Sequence, residues 1–197
     1  MARGPDSAGV LALARKHRAT VVRGNHEEKL LQWKSSRRAG LVEMRLGPVH
    51  RRIVRTLRRE DWELLAASPA YFDLPDHNVR VVHAGVVPGI PIDQQARSTL
   101  MTIRTVGEQG EPSEKAGLRV WGGEYAGPEH VVFGHFAQRT PQLHPFATGL
   151  DTACVYGGAL SCMVLWAGER PPRGEACRDL IVSVPAHRRW YPPATRP

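Results

Sequence analysis

An α/β fold, with β-sheets sandwiched between helices, is what this sequence predicts, and three observations predict it. Helix-like and strand-like segments alternate through the first part of the chain, strand-like segments follow one another late, and three strand-like runs end alike. In each of the three, a β-branched or aromatic run stops, a glycine frees the backbone, and a metal-competent side chain stands at the strand's carboxyl end. The three are Gly24-Asn25-His26-Glu27 after Ala19-Thr20-Val21-Val22, His83-Ala84-Gly85 after Val81-Val82, and Gly134-His135 after Val131-Val132-Phe133. Open α/β sheets place their chemistry at that end.

The elements follow in order. Pro5-Asp6-Ser7 is a capped helix start, and Val10, Leu11, Leu13 and Ala14 give an apolar stripe to about Arg18. Residues 19–23 read as a strand, and a helix opened by the Asn-His-Glu turn runs from His26 to about Ser36. A basic amphipathic stretch covers Val49 to Leu65, and its Arg51–Arg59 part reads as a solvated helix face. Val79-Arg80-Val81-Val82 is a strand ending at His83, and Pro91 to Arg104 is loop, then helix. The polar segment Gly107 to Gly117 is predicted to be a mobile loop. Strands are predicted at His130–Phe133, Phe146–Leu150, Ala159–Ala167 and Arg178–Pro185, and Arg188–Pro197 reads as an ordered arm or a frayed tail. No internal repeat occurs.

At 197 residues and 42% hydrophobic content the chain can bury one domain's core. Its net charge of +8 is carried by 23 Arg against 4 Lys. No Lys/Arg run is interleaved with aromatics, whereas Arg suits bidentate phosphate gripping, so a polyanionic ligand is expected and a nucleic-acid partner is not. Cys154, Cys162 and Cys177 are odd in number and form no C-x-x-C pair, which fits a reducing compartment and argues against a cysteine zinc site. With no apolar run of membrane-spanning length and no signal-peptide pattern after Met1, a cytoplasmic protein is expected.

Taken together and in sequence order, Arg3-Gly4-Pro5-Asp6-Ser7, Gly24-Asn25-His26-Glu27, His83-Ala84-Gly85, Gly134-His135 and Leu150-Asp151-Thr152 through Gly157-Gly158 resemble the motif set of the calcineurin-like metallophosphoesterases. The likeness is greatest to the bacterial diadenosine-tetraphosphatase and serine/threonine protein phosphatase branch, and it runs from about residue 3 to the last strand. It implies a calcineurin-like sandwich of two mixed β-sheets flanked by helices, with residues 1–187 as the metallophosphoesterase domain and 188–197 as a C-terminal tail. In that family an earlier G-D-x-H-G motif and the start of the G-D-x-x-x-R-G motif supply the first metal's ligands and a bridging carboxylate. By this resemblance the chain begins inside the second motif, N-terminally truncated and lacking the first βα unit, and holds at most one incomplete metal site.

The resemblance also assigns roles. Phosphoester hydrolysis needs a water made nucleophilic at neutral pH and charge stabilisation on the phosphoryl group, which two metals about 3.5–4 Å apart supply in such enzymes. It implies two divalent transition metals in the intact family, Mn, Fe or Zn, with Asn25, His83 and His135 as three ligands of the second: an amide oxygen and neutral imidazoles add no charge opposing an anionic substrate. His26 resembles the general acid that protonates the leaving oxygen. Glu27 would orient its neighbours. Arg3 matches the phosphate-gripping Arg, against a solvated terminal Arg, and Arg104 is a second clamp or a salt-bridge residue. Ala2 stands where many relatives carry an Asp supporting the acid His. Asp151 is expected to satisfy nearby backbone, and His17, His50, His77, His130, His144 and His187 to be surface or packing residues. The implied function is a metal-dependent phosphoesterase acting on phosphorylated protein, diadenosine tetraphosphate or polyphosphate; the alternative is an inactive remnant that binds phosphate or a single metal. Gly24-Asn25-His26-Glu27 leans towards the protein-phosphatase branch, and Ala2-Arg3-Gly4-Pro5 with Leu150-Asp151-Thr152 towards the dinucleoside-polyphosphate branch.

Overall fold

The computed structural model describes residues 2–40, 44–117 and 119–192. It is a mixed α/β fold in which sheets are flanked by helices, opening with four helices: α1 (Ser7–Lys16), α2 (Asn25–Arg38), α3 (Pro48–Val54) and α4 (Arg59–Ala67). Asp6 caps α1 by accepting the Gly9 N–H at 2.8 Å. The basic stretch from Val49 divides into two helices because Arg58 and Asp61 form a capping box, the Arg58 N–H donating to Asp61 Oδ2 at 2.8 Å. Asp61 is 1% exposed and also takes an ion pair from Arg15, which ties α4 to α1. The expectation for Arg51–Arg59 holds in that Arg51, Arg52, Arg55, Arg58 and Arg59 all face solvent.

The main sheet has five strands in the order β1 (Tyr71–Leu74), β2 (Val79–Val82), β5 (His130–Phe133), β7 (Ala147–Gly149), β6 (Gln142–His144). β2, β5 and β7 are parallel neighbours, and β1 and β6 are antiparallel edges. The register Val81↔Val132 and Phe133↔Gly149 brings the carboxyl ends of the three parallel strands side by side, so the residues that follow them share one rim of the sheet. Helices α5 (Arg97–Thr102) and α6 (Trp121–Glu124) close over the sheet. The principal core joins Val82, Ala84, Leu100, Ile103, Trp121, Val131 and Phe133, while a smaller one joins Ala2, Leu30, Leu46 and Ile53 beneath the first helices. A separate antiparallel pair, β8 (Ala159–Met163) and β9 (Ile181–Pro185), follows late in the chain. Among the described residues no helix is long and apolar enough to cross a membrane.

Three expectations are corrected. Residues 19–23 are not a strand: Arg23 N–H donates to Pro69 O at 2.7 Å, but Pro69 has no N–H to return, and no ladder forms. The β-branched composition secures extended backbone without securing a neighbour. The segment from Gly107 to Gly117 is not a free loop either, because β4 (Pro112–Ser113) within it pairs antiparallel with β3 (Thr105–Val106) just before it. Arg104 N–H donates to Ser113 O at 2.8 Å and Arg119 Nη1 to Gly107 O at 2.6 Å, pinning both sides. The late strands are shorter than expected, residues 174–180 forming 3-10 turns instead. Of the predicted tail, residues 188–192 are described and 193–197 lie outside the described residues. The described part is an arm, held where the Trp190 and Tyr191 N–H groups both donate to Val155 O, at 3.0 and 2.9 Å.

Candidate metal and phosphate site

Asn25, His83 and His135 converge from three different elements. Asn25 opens α2, His83 follows β2 and His135 follows β5 through Gly134. His83 Nε2 lies 3.2 Å from Asn25 Oδ1, and the rings of His83 and His135 meet edge to face with centroids 5.1 Å apart. Gly134 N–H donates to His83 O at 2.9 Å, which couples the two strand ends. Gly24 is required here, since a Cβ on it would stand 2.6 Å from His83 Nδ1 and 2.7 Å from Glu27 Oε2. The peptide after His83 is fixed from behind: Trp121 Nε1–H donates to Ala84 O at 3.1 Å, and a Cβ on Gly85 would fall 2.2 Å from the Trp121 ring. His135 adopts φ 65°, a left-handed conformation that turns the chain sharply at the rim.

A second pair of imidazoles stands on the helical side. His26 Nδ1 and His50 Nε2 are 2.9 Å apart and share one hydrogen bond, their ring centroids 5.1 Å apart and the planes tilted by 33°. His50, on α3, is buried at 8% exposure. Arg3 is held rather than frayed: its guanidinium donates to Tyr156 Oη and lies 5.8 and 5.3 Å from the ring centroids of Tyr156 and Tyr191. Arg104 donates to Glu114 O at 3.0 Å and lies 5.6 Å from the Phe136 ring centroid, with its Nε buried and without a hydrogen-bond partner among the described residues. Asp151, beyond β7, accepts the Ala153 N–H at 3.2 Å, the backbone role expected of it.

The electrostatics follow from burial. Desolvation, repulsion from His135 and the opposing pull of Glu27 leave His83 with its pKa lowered to about 4. His135 is likewise lowered to about 4, by burial first and then by Arg104, with the Thr102 backbone opposing the shift. His26 is lowered to about 4 by burial, then by Arg3. Asp151 is raised by burial, an effect Arg3 opposes. The charge of Arg3 acts on His26, His135 and Asp151 in the same direction, lowering the pKa of each.

The donor set fits a cation in part. Two donors each about 2.1 Å from one ion stand roughly 3.0–3.4 Å apart, and the Asn25–His83 separation of 3.2 Å agrees with that. Both imidazoles are neutral at physiological pH, the form that ligates. Three neutral donors leave the coordination shell unfinished, and among the described residues no three His, Cys, Asp or Glu side chains converge on one point. All six residues singled out from the sequence, His26, Arg3, Arg104, Asn25, His83 and His135, thus stand at or beside one rim of the sheet. Sequence reading missed His50 as the partner of His26 and the aromatic pair that holds Arg3. No local motif marks His50, which lies 24 residues from His26 on another helix.

No protein-family profile matches the chain. It is similar to the bis(5'-nucleosyl)-tetraphosphatase PrpE [asymmetrical] of Halalkalibacterium halodurans, 28% identical over 174 residues, covering 82% of this chain and 70% of that protein. The protein of the same name from Bacillus cereus strain AH187 is 26% identical over an alignment of 213 residues that covers 99% of this chain and 80% of the relative. A crystal structure of a candidate diadenosine tetraphosphatase superposes with a TM-score of 0.76 and 34% identity, over 93% of this chain and 76% of that one.

Proposed function

Because the chain belongs to the calcineurin-like metallophosphoesterases, in their bis(5'-nucleosyl)-tetraphosphatase branch, a family of hydrolases, we propose that it cleaves phosphoanhydride bonds in dinucleoside polyphosphates. The observation that carries this reading is the meeting of Asn25 and His83, 3.2 Å apart at the strand rim, with His26 on the turn of helix that presents Asn25. We assign Asn25, His83 and His135 to one divalent transition metal, Mn, Fe or Zn, which when bound lowers the pKa of a water and draws charge from a phosphoryl oxygen. His26, neutral in the free protein, gives a proton to the leaving oxygen once the negative charge of a bound phosphate chain raises its pKa, and its neighbour His50 holds the ring by their shared hydrogen bond where Ala2 cannot. Arg3 grips phosphate from above, steadied by Tyr156 and Tyr191. Arg104 keeps cationic charge beside His135 and acts as a second clamp. The relatives' names favour a nucleotide over a phosphorylated protein as substrate.

One observation favours a second reading, a protein that binds phosphate or one metal without turnover: no carboxylate joins the three neutral donors among the described residues. Nucleotide release from diadenosine tetraphosphate in excess Mn separates the two. The hydrolase reading expects turnover that EDTA abolishes and that His26→Ala lowers about 100-fold. Metal binding without any turnover would overturn it in favour of the binding protein.

A further inference from the structure

A cleft of about 300 Å³, lined in part by Arg3, has walls from the start of the chain, helix α3 and the C-terminal arm. Arg3, Arg52, Val49, Ile53, Trp190 and Tyr191 line it. Its materials are mixed in a particular way: an apolar floor, Ile53 being 5% exposed, two aromatic rings on the arm, and two guanidinium groups. The backbone of the arm that carries them is fixed in place. The Trp190 and Tyr191 N–H groups share Val155 O, Arg189 Nε donates to Tyr156 O at 3.3 Å, and Tyr191 meets Tyr156 edge to face at 6.2 Å. Arg188 stacks on Trp190 at 3.9 Å, and Arg52 is held at the cleft by donating to Pro5 O at 2.9 Å.

We propose that this cleft is a nucleoside subsite, in which a base stacks on the arm's Trp190 and Tyr191 while Arg3 and Arg52 hold the 5'-phosphates. The inference rests on the phosphoanhydride reading of the neighbouring rim and adds where the nucleoside sits. A flat, weakly polar ring flanked by negative charge is the ligand such walls suit, because base–aromatic stacking tolerates any base and arginine pairs with phosphate. A volume of about 300 Å³ is at the low end for small-ligand sites, room for one nucleoside and not for two. Arg3 lines the cleft, and it lies two residues before Pro5, whose carbonyl holds Arg52, so one phosphate chain can meet both guanidinium groups. Only one end of a dinucleoside polyphosphate is thereby gripped through its base.

Isothermal titration of the 197-residue chain in EDTA, with ADP and with inorganic pyrophosphate as probes, tests this without turnover or metal. ADP should bind about tenfold more tightly than pyrophosphate, the fold-change of one stacked base. Trp190→Ala should remove most of that preference and leave pyrophosphate affinity unchanged, Trp190→Phe should retain it, Tyr191→Ala should reduce the preference and also weaken pyrophosphate because its ring steadies Arg3, and Arg3→Ala should weaken both probes. Thermal melts of the variants establish that they are folded, and the exposed position of Trp190 favours this. Equal affinity for ADP and pyrophosphate in the wild type, or an ADP preference that survives both aromatic substitutions, would overturn the subsite while leaving the phosphoanhydride reading intact. Tighter binding of a phosphoserine peptide than of ADP would overturn it in favour of a protein ligand. Failure of both ADP and pyrophosphate to bind would remove the subsite and the phosphate-binding reading beneath it together.

Discussion

Two histidine pairs stand close together in this molecule with the same separation of ring centroids, 5.1 Å, and they are built for different work. His26 and His50 are joined nitrogen to nitrogen at 2.9 Å, so one proton lies between them and the partner fixes the orientation of the ring that carries it. His83 and His135 meet edge to face at 63° and share no hydrogen bond in the described structure; instead His83 Nε2 faces an amide oxygen 3.2 Å away. The first pair is arranged along a shared hydrogen, the second edge to face with Asn25 beside it. Their foundations differ too. His83 and His135 hang from the ends of parallel strands over the principal core, whereas His26 and His50 come from two helices over the smaller core of Ala2, Leu30, Leu46 and Ile53. Centroid distance alone therefore does not identify a metal site; the direction of the ring nitrogens and the third group decide.

The difference in foundation gives the largest expected effects. Trp121, 1% exposed and bonded to Ala84 O, backs the peptide after His83. Trp121→Ala should cost about 3–5 kcal/mol in chemical denaturation, and Gly85→Ala about 3 kcal/mol through its clash with the same ring. If either variant kept wild-type stability, the strand-end pair would not depend on this buttress.

A smaller effect comes from proton uptake. His130 is 6% exposed, its Nε2 is 2.8 Å from Thr148 Oγ1, and burial lowers its pKa to about 4. The folded state therefore binds the proton less readily than the unfolded chain, so the stability His130 contributes is complete above pH 6.5 and is lost as pH falls through 6.5 towards 4. The loss should be about 3 kcal/mol. His26, His83 and His135 are lowered to about 4 as well and act in the same direction. Denaturant midpoints measured from pH 7 to pH 4 should decline, and His130→Gln should flatten the decline; an unchanged slope in that variant would assign the acid sensitivity elsewhere.

The smallest effect sharpens the comparison itself. His50→Phe keeps the ring volume but removes the hydrogen bond to His26. It should lower kcat about tenfold for substrates with poor leaving groups, change KM little, and spare para-nitrophenyl phosphate, whose leaving group needs little protonation. A uniform loss across leaving groups would mean that His50 serves packing alone.

Much of this was legible in the sequence, and the reasons divide by range. Val79–Val82 and His130–Phe133 coincide with the expected strands because each is a dense β-branched run between turn residues, so local composition and burial agree. The rim histidines were legible because glycine after a strand is a local signal. Residues 19–23 misled because pairing is a property of two segments, and Pro69 removes the donor that the second would need. Short elements such as β1, β6 and α6 carry too few residues to show a period. His50 and the arm aromatics were invisible for the same reason as any long-range contact: Arg3 and Tyr156 are 153 positions apart, and nothing in either neighbourhood announces the other.

The central claim is that the His83 pair holds a metal and the His26 pair does not. Manganese titration of the purified chain, followed by calorimetry and checked by elemental analysis, tests it most directly in wild type, His83→Ala, His135→Ala and His26→Ala. The account predicts one bound ion in wild type and in His26→Ala, with affinity falling at least tenfold in each of the other two variants. Equal metal affinity in wild type, His83→Ala and His135→Ala would contradict it.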